Sequence, residues 1–398
     1  MTRASGARFV WSCLLLHAVC AHAISYGLRP AMSYALLEQG HQAVWLGVAT
    51  AMFAAPPFLL ALPAGRYCDR YGERPALVGG GIALILSALV ALAAPASLAA
   101  VLAATGLLGI GVLLAALGEQ AWVMNQASPS RLDHSFGVLT FATSVGQLLG
   151  PLLLLLPRDG AAAPPTRLIA VAVLGVAVLT VLLSLAVPSA PRPPAAAPAP
   201  DAEAGAGERR AGGRVRDLLR VPGMGSALFA SSMILSSVDI LVAYLPLLAQ
   251  ERGLVPGWIT LFLVVRAVGS MVSRILLGRL TTRFGRVRVL MSGCALAAGG
   301  LILLWLPVSP WVVAGLATCY GFTAGMVQPL TMSWVTLITP PGQRGLAASL
   351  RLVGNRLGQN AVPLLVAPLS LVGGAGVVFG VTGMLLLATV PSARRAPD

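Results

Sequence analysis

Apolar runs of about the length that crosses a bilayer as a helix, roughly 20 residues, alternate with short polar stretches along the whole chain. Twelve are predicted, at approximately 9–37, 43–64, 75–94, 97–124, 135–157 and 168–187, then 223–248, 257–277, 287–307, 310–335, 346–368 and 371–390. The one long interruption, Pro188 to Arg220, is rich in Pro, Ala, Gly and Arg with almost no large apolar residues, and reads as a disordered linker. The pattern divides the chain into an N-terminal six-helix bundle at 1–187, the linker at 188–220, and a C-terminal six-helix bundle at 221–398.

The two bundles repeat each other. A charged hairpin from Gly65 to Pro75 between the second and third runs has a counterpart 213 residues on, from Gly278 to Arg288, with both glycines and two arginines in register. At the same offset Glu38, Gly40 and Trp45 fall on Glu251, Gly253 and Trp258. One slip later, at offset 212, Pro129, Gly146, Gln147 and Pro151 fall on Pro341, Gly358, Gln359 and Pro363. An ordered series of this length is the mark of a duplicated half. The fold class expected is therefore an all-α membrane protein of twelve transmembrane helices in two pseudo-symmetric six-helix bundles.

Composition agrees, since 57% of residues are hydrophobic and 10% charged, against roughly 25% charge in ordinary soluble domains. The net charge of +14 is carried entirely by arginine, for the chain has no lysine. This is not the footprint of a nucleic-acid binder, because the arginines sit in short loops between apolar runs. Nineteen fall in the tails and in the loops on one face, and only Arg158, Arg167 and Arg252 on the other. By the positive-inside rule both termini are then cytoplasmic and the protein is a multi-pass protein of the cell inner membrane. The first run is read as a span and not as a cleaved leader ending at Ala21-His22-Ala23, since its end at Glu38 matches the end of a mid-chain run. Without lysine there is no Walker A loop, which excludes ATP-driven transport by this chain alone. Five cysteines and four histidines are scattered without ligand spacing, so no disulfide and no metal site is implied.

Twelve spans, a six-plus-six duplication, a basic central linker and the hairpin Gly65, Asp69, Arg70, Gly72, Arg74 together resemble the major facilitator superfamily. The resemblance implies that this hairpin is a conformational latch, favouring the outward-facing state and guiding its interchange with the inward-facing one. Physically, glycines there permit a tight turn, Asp69 can meet a helix N-terminus, and Arg70 a carboxylate or a lipid headgroup. The second copy, Gly278, Arg283 and Gly285, has Thr282 where the acid would stand, so a weaker latch is expected. Gly137, Gly146, Gly150 and Pro151 in the fifth span are similar to the glycine-proline signature of the family's proton-driven exporters, without its closing glycine pair. In the fourth span Gly109-Ile110-Gly111 matches a second exporter signature, but Thr105 stands where its arginine belongs.

Ionisable groups inside a span cost at least about 2.5 to 3.5 kcal/mol at mid-depth and normally face a polar cavity. Here they are Asp239 and Glu119 among the acids, and Arg29, Arg266, Arg274, Arg351 and Arg356 among the bases. Helical spacing sets them on stripes: His22, Ser25, Tyr26, Arg29 and Ser33; Ser232, Ser236 and Asp239; Arg266, Ser270, Ser273 and Arg274; Arg351, Asn355 and Gln359, with Arg356 and Asn360 further round. These are expected to line a substrate cavity, notably through His22, Tyr26, Arg29, Arg266, Ser270, Arg351, Asn355, Arg356 and Gln359. Asp239, near mid-span, is the first candidate for proton coupling, the alternative being a permanent ion pair with Arg266. Glu119 is the second candidate, read also as a gate or capping charge. Arg29 is read as snorkelling outward, and His22 as a packed helix histidine.

The function expected is secondary transport: export of a small organic molecule by proton antiport with alternating access. No cofactor beyond the proton-motive force and no enzymatic activity are expected. The partners expected are a small-molecule substrate, protons and membrane lipid, with no nucleic acid, and a monomer is anticipated. One rival is symport or facilitated uptake of an anionic metabolite, for which Arg266, Arg351 and Arg356 would form a basic cavity. Another is a non-transporting membrane sensor.

Overall fold

Where side chains are apolar and the medium is hydrocarbon, the backbone must satisfy its own hydrogen bonds, and helices are the open-chain solution. The computed structural model describes residues 2–95, 97–126, 132–157, 164–188, 216–339 and 344–393, and among these there is no strand. The long helices are α1 (Thr2–Glu38), α2 (Val44–Tyr71), α3 (Glu73–Ala93), α4 (Leu98–Gln126), α5 (Leu132–Leu149) and α6 (Thr166–Ala186), then α7 (Met224–Glu251), α8 (Pro256–Phe284), α9 (Arg286–Leu303), α10 (Pro310–Ile338), α11 (Arg344–Val366) and α12 (Ser370–Leu387). Eleven stretches are long and apolar enough to span a membrane, the last of which, Leu350–Ser392, contains both α11 and α12 across a short 3-10 turn. Most of the linker expected at 188–220 lies outside the described residues; 216–219 form a helical turn.

Packing repeats as the sequence does. Among the first six helices α3 packs on α4 and α6, α2 on α4, and α1 on α4, α5 and α6; among the second six α9 packs on α10 and α12, α8 on α10, and α7 on α10, α11 and α12. The two sets meet through α2 on α11, α5 on α8, and α1 on α7. Individual residues obey the same relation. A side chain at Gly109 would drive into the Phe53 carbonyl, and one at Gly321 into the Arg266 carbonyl. Gly146 lies against Val19 and Ala23 of α1, and its counterpart Gly358 against Ser232 and Ser236 of α7. Glycine at these crossings lets backbones approach where lipid offers no hydrophobic drive to bring helices together.

The helix ends also recur in pairs. After α1 and α7, Gly40 and Gly253 take left-handed φ of 73° and 62°. The N–H groups of His41 and Leu254 then close back onto the Leu36 and Ala249 carbonyls at 3.1 and 2.8 Å, a Schellman ending. Gln39 donates to the Pro95 carbonyl, while Arg252, its repeat partner, donates to the carbonyls of Leu304 and Leu306 at 2.6 and 2.8 Å. α12 has its own break at Gly373 and Gly374, where Glu251 accepts the Ala375 N–H at 3.0 Å.

The hairpins turn more tightly than the sequence suggests. α2 and α8 run past their expected ends at 64 and 277, and the whole reversal falls on Gly72 (φ 99°) and Gly285 (φ 83°). Gly65 and Gly278 are therefore helical, with no atom within 4 Å of where a side chain would begin. Alanine at Gly72 or Gly285 is expected to lower stability by about 1–3 kcal/mol, since their extended backbone at positive φ (ψ 175° and 149°) is one that essentially only glycine adopts. At Gly65 or Gly278 alanine should be neutral or stabilise by up to about 1 kcal/mol, since glycine weakens a helix interior. Thermal melting of the detergent-solubilised variants checks both.

Candidate functional site

Asp239 sits on α7, 5% exposed, with both carboxylate oxygens engaged. Oδ1 accepts from Arg29 Nη1 on α1 at 2.7 Å, and Oδ2 from Gln359 Nε2 on α11 at 2.7 Å. Gln359 in turn accepts at Oε1 from Arg356 Nη1 at 3.3 Å. The Arg29 guanidinium lies 4.3 Å from the centroid of Phe53 on α2, a cation–π contact. At 1.5 Å rise per residue, Arg29 is about 14 Å from the end of α1 and Asp239 about 18 Å from the end of α7, near the middle of a roughly 30 Å hydrocarbon layer. Gln359 supplies the carboxylate's second hydrogen bond, as a charge at that depth requires, while Arg29 Nη2 is buried without a partner.

A second bridge runs the other way. Arg266 of α8 lies 5.2 Å from the ring centroid of Tyr26 on α1, and its Nη2 reaches Gln147 Oε1 on α5 at 3.5 Å. The repeat offsets make Tyr26 the counterpart of Asp239, Gln147 of Gln359 and Phe53 of Arg266. Each half thus sends one arginine into the other half's α1/α5 or α7/α11 corner. Among the described residues only one of the two corners holds an acid.

The other expected cavity residues divide. Arg351 donates to the Gln328 carbonyl of α10 at 3.4 Å, and Asn355 is buried with its Oδ1 free of a partner. Ser270 does not line a passage: with Ser273 it faces Gly325 of α10, filling a helix crossing. Ser232 and Ser236 likewise abut Gly358, so that stripe is a packing surface rather than a cavity wall. His22, expected both as a cavity residue and as a packed helix histidine, lies beside Gly146 with its Nδ1 on the Ala18 carbonyl at 3.1 Å.

Two expectations need correction. Arg29 does not snorkel: it is 7% exposed and is the partner of Asp239, the place that had been given to Arg266. Glu119 is no capping charge at a helix end; its Oε1 is 2.7 Å from Nδ1 of His17 on α1, both side chains being buried. His17 was not singled out, yet a signal existed. Counted from the same membrane face, it lies eight residues into the first predicted run and Glu119 five before the end of the fourth. His17→Leu should cost about 3–5 kcal/mol by stranding a buried acid, and His17→Leu/Glu119→Leu should recover most of it; unfolding in a graded denaturant series measures both.

Of the hairpin residues, Arg70 and Arg74 are exposed, and Arg70 stacks over Tyr71 at 5.2 Å as Arg283 does over Phe284 at 5.4 Å. The side chain of Asp69 lies outside the described residues. In the fifth span Gly146 and Gly150 make the close approach to α1, Gly150 against Ala23 and Gly27, whereas Gly137 faces open space. At Gly150–Pro151 the α-helix gives way to a 3-10 stretch over Gly150–Leu155. Thr105 bonds only to its own helix, at the Val101 carbonyl.

The model of the Major Facilitator Superfamily matches residues 14–358 and, in a second match, 228–394. The chain belongs to the Major Facilitator Superfamily. Solved structures that it resembles are the D-xylose-proton symporter (18% identity, 97% of this chain and 98% of that one, TM-score 0.71), the human organic anion transporter MFSD10 (20%, 97% and 99%, 0.69), and the inward-open xylose transporter XylE from E. coli (17%, 98% and 96%, 0.72). At such identities the likeness is one of fold. As a Major Facilitator chain with multiple apolar helices, the protein is a multi-pass membrane transporter, and the Arg29–Asp239 and Arg266–Gln147 contacts lie where its two halves meet.

Proposed function

We propose that this chain carries a small organic anion by alternating access, with one proton bound on Asp239 for each anion moved. The observation that carries this reading is the excess of arginine over acid inside the spans, where Arg266 is buried and Arg274, Arg351 and Arg356 are half-buried. Asp239 is already neutralised by Arg29, and Glu119 faces His17. Arg266, Arg274, Arg351 and Arg356 rest on amide, hydroxyl or carbonyl oxygens, and each has an Nε without a partner. Guanidinium keeps its charge at any working pH and matches a carboxylate or phosphate in a fork.

In this mechanism the anion enters between the halves and replaces Asp239 on Arg29. The displaced carboxylate, still in a dry site, takes a proton, because an unpaired buried charge costs several kcal/mol. Loss of the Arg29–Asp239 bridge removes a tie between the halves, so they can rock and release anion and proton on the far side. Anion and proton travel together, which makes the coupling symport and favours an anionic cargo over the export reading.

The test is flux in proteoliposomes with the membrane potential clamped at zero. A pH gradient should drive accumulation of labelled succinate on the alkaline side, about tenfold per pH unit and only in vesicles that hold the protein. Accumulation of neutral xylose with no effect on anions, or no flux of either, would reject it.

A further inference from the structure

Along α8, Arg266 and Arg274 lie eight residues apart on one face, turned towards α5. Opposite them α5 presents Gln147, Ser144 and Thr140, again on one face. Arg266 reaches Gln147 Oε1, while Arg274 Nη1 donates to the Thr140 carbonyl at 3.1 Å and to Ser144 Oγ. Every acceptor is neutral. Among the described residues neither arginine has a carboxylate within ion-pair distance, and the Nε of both is buried without a partner. Arg266 itself is 3% exposed.

Two like charges on one helix face, about 12 Å apart along its axis, with Arg266 buried and Arg274 half-buried, are compensated poorly by neutral oxygens. A merely structural seam would be served by one arginine or none. A group with two negative charges would compensate both guanidiniums at once.

We propose that the Arg266–Arg274 pair on the α5–α8 seam is a dianion subsite, which makes the cargo a molecule carrying a dicarboxylate or a phosphate monoester rather than a single carboxylate. This rests on the anion-carrier reading above. Arg274 is then the specificity-determining residue: Arg29 and Arg266 accept one negative charge, and Arg274 is needed for the second.

The experiment is calorimetric titration of the purified, detergent-solubilised protein with succinate, monobutyl phosphate and butyrate, which keep four carbons and vary the charge. The native protein should bind either or both dianions at least tenfold more tightly than butyrate, and Arg274→Gln should lower that ratio by roughly tenfold or more, as expected for a charge-assisted contact. Arg274→Lys, which keeps the charge without the fork, should retain part of the preference, and it stands in if the glutamine variant does not fold. Preference for succinate over monobutyl phosphate, or the reverse, names the chemical source. Equal binding of dianions and butyrate by the native protein overturns the subsite and leaves the anion carrier standing. A native protein that binds none of the three overturns both. If Arg274→Gln lowers maximal flux with an unchanged binding ratio, Arg274 is a tie between the halves and the subsite is overturned.

Discussion

Asp239→Asn is expected to abolish accumulation driven by a pH gradient while leaving exchange of labelled for unlabelled anion across the same membrane. Asparagine fills the same space and can still accept from Arg29, and Gln359 can turn its amide to offer an acceptor instead of a donor. What it cannot do is take the proton. Gradient-driven accumulation should therefore fall more than tenfold, to the level set by exchange alone. The complementary change strains the fold instead. Arg29→Met leaves a carboxylate at mid-membrane with Gln359 as its one remaining partner, a loss of about 3–5 kcal/mol. Arg29→Met/Asp239→Leu should regain most of that stability and carry nothing. Loss of exchange as well as accumulation in a well-folded Asp239→Asn protein would make the bridge a fixed structural pair.

The second large effect concerns packing. Gly109 lies under the Phe53 carbonyl and Gly321 under the Arg266 carbonyl, in each case so closely that a first side-chain carbon would overlap the oxygen. The clash is with backbone, which no rotamer change relieves. Alanine at either position should cost about 1–3 kcal/mol, the usual penalty of overpacking, and valine should prevent accumulation of folded protein. Alanine at Gly137 or Gly175, where nothing lies within 4 Å, should leave the melting temperature unchanged or raised. Fluorescence-detected size exclusion after heating separates the two classes. Gly321 carries a further consequence, because the oxygen it meets belongs to Arg266: displacing that turn of α8 would also shift the guanidinium off Tyr26.

The duplication was legible because the residues that enforce it cannot be exchanged freely. Gly40 and Gly253 need a left-handed backbone, and Gly146 and Gly358 need to be bare for α5 and α11 to reach α1 and α7. Asp239 was legible as well, since an acid at mid-span has few innocent explanations. Its partner was not. Sequence spacing gives the face and depth of a residue on its own helix but not which helix of the other half stands opposite, so Arg266, near mid-span on the adjoining helix, reads as the partner and Arg29 as snorkelling. The same gap turned Ser270 into a cavity residue when it packs on Gly325. His17 went unseen because one buried histidine carries no pattern; only its depth relative to Glu119 pointed to the pair. The hairpin glycines were read as one turn when the helix runs on to Tyr71 and Gly72 alone reverses the chain.

At the end of the bundle near residues 39–43 the halves are in contact. Gly47 of α2 lies against Pro363 and Ala367, and Thr260 Oγ1 of α8 donates to the Pro151 carbonyl at 3.2 Å. If the Arg29–Asp239 bridge ties a carrier that opens there, this contact must separate during the cycle. Spin labels at Leu155→Cys and Val255→Cys, both exposed, in a background where the exposed Cys319 is serine, report it by pulsed electron resonance in lipid nanodiscs. A short distance with a second, longer population that grows in Arg29→Met is the result expected. A single short distance, unchanged by Arg29→Met and by added anion at acid pH, would contradict the carrier account.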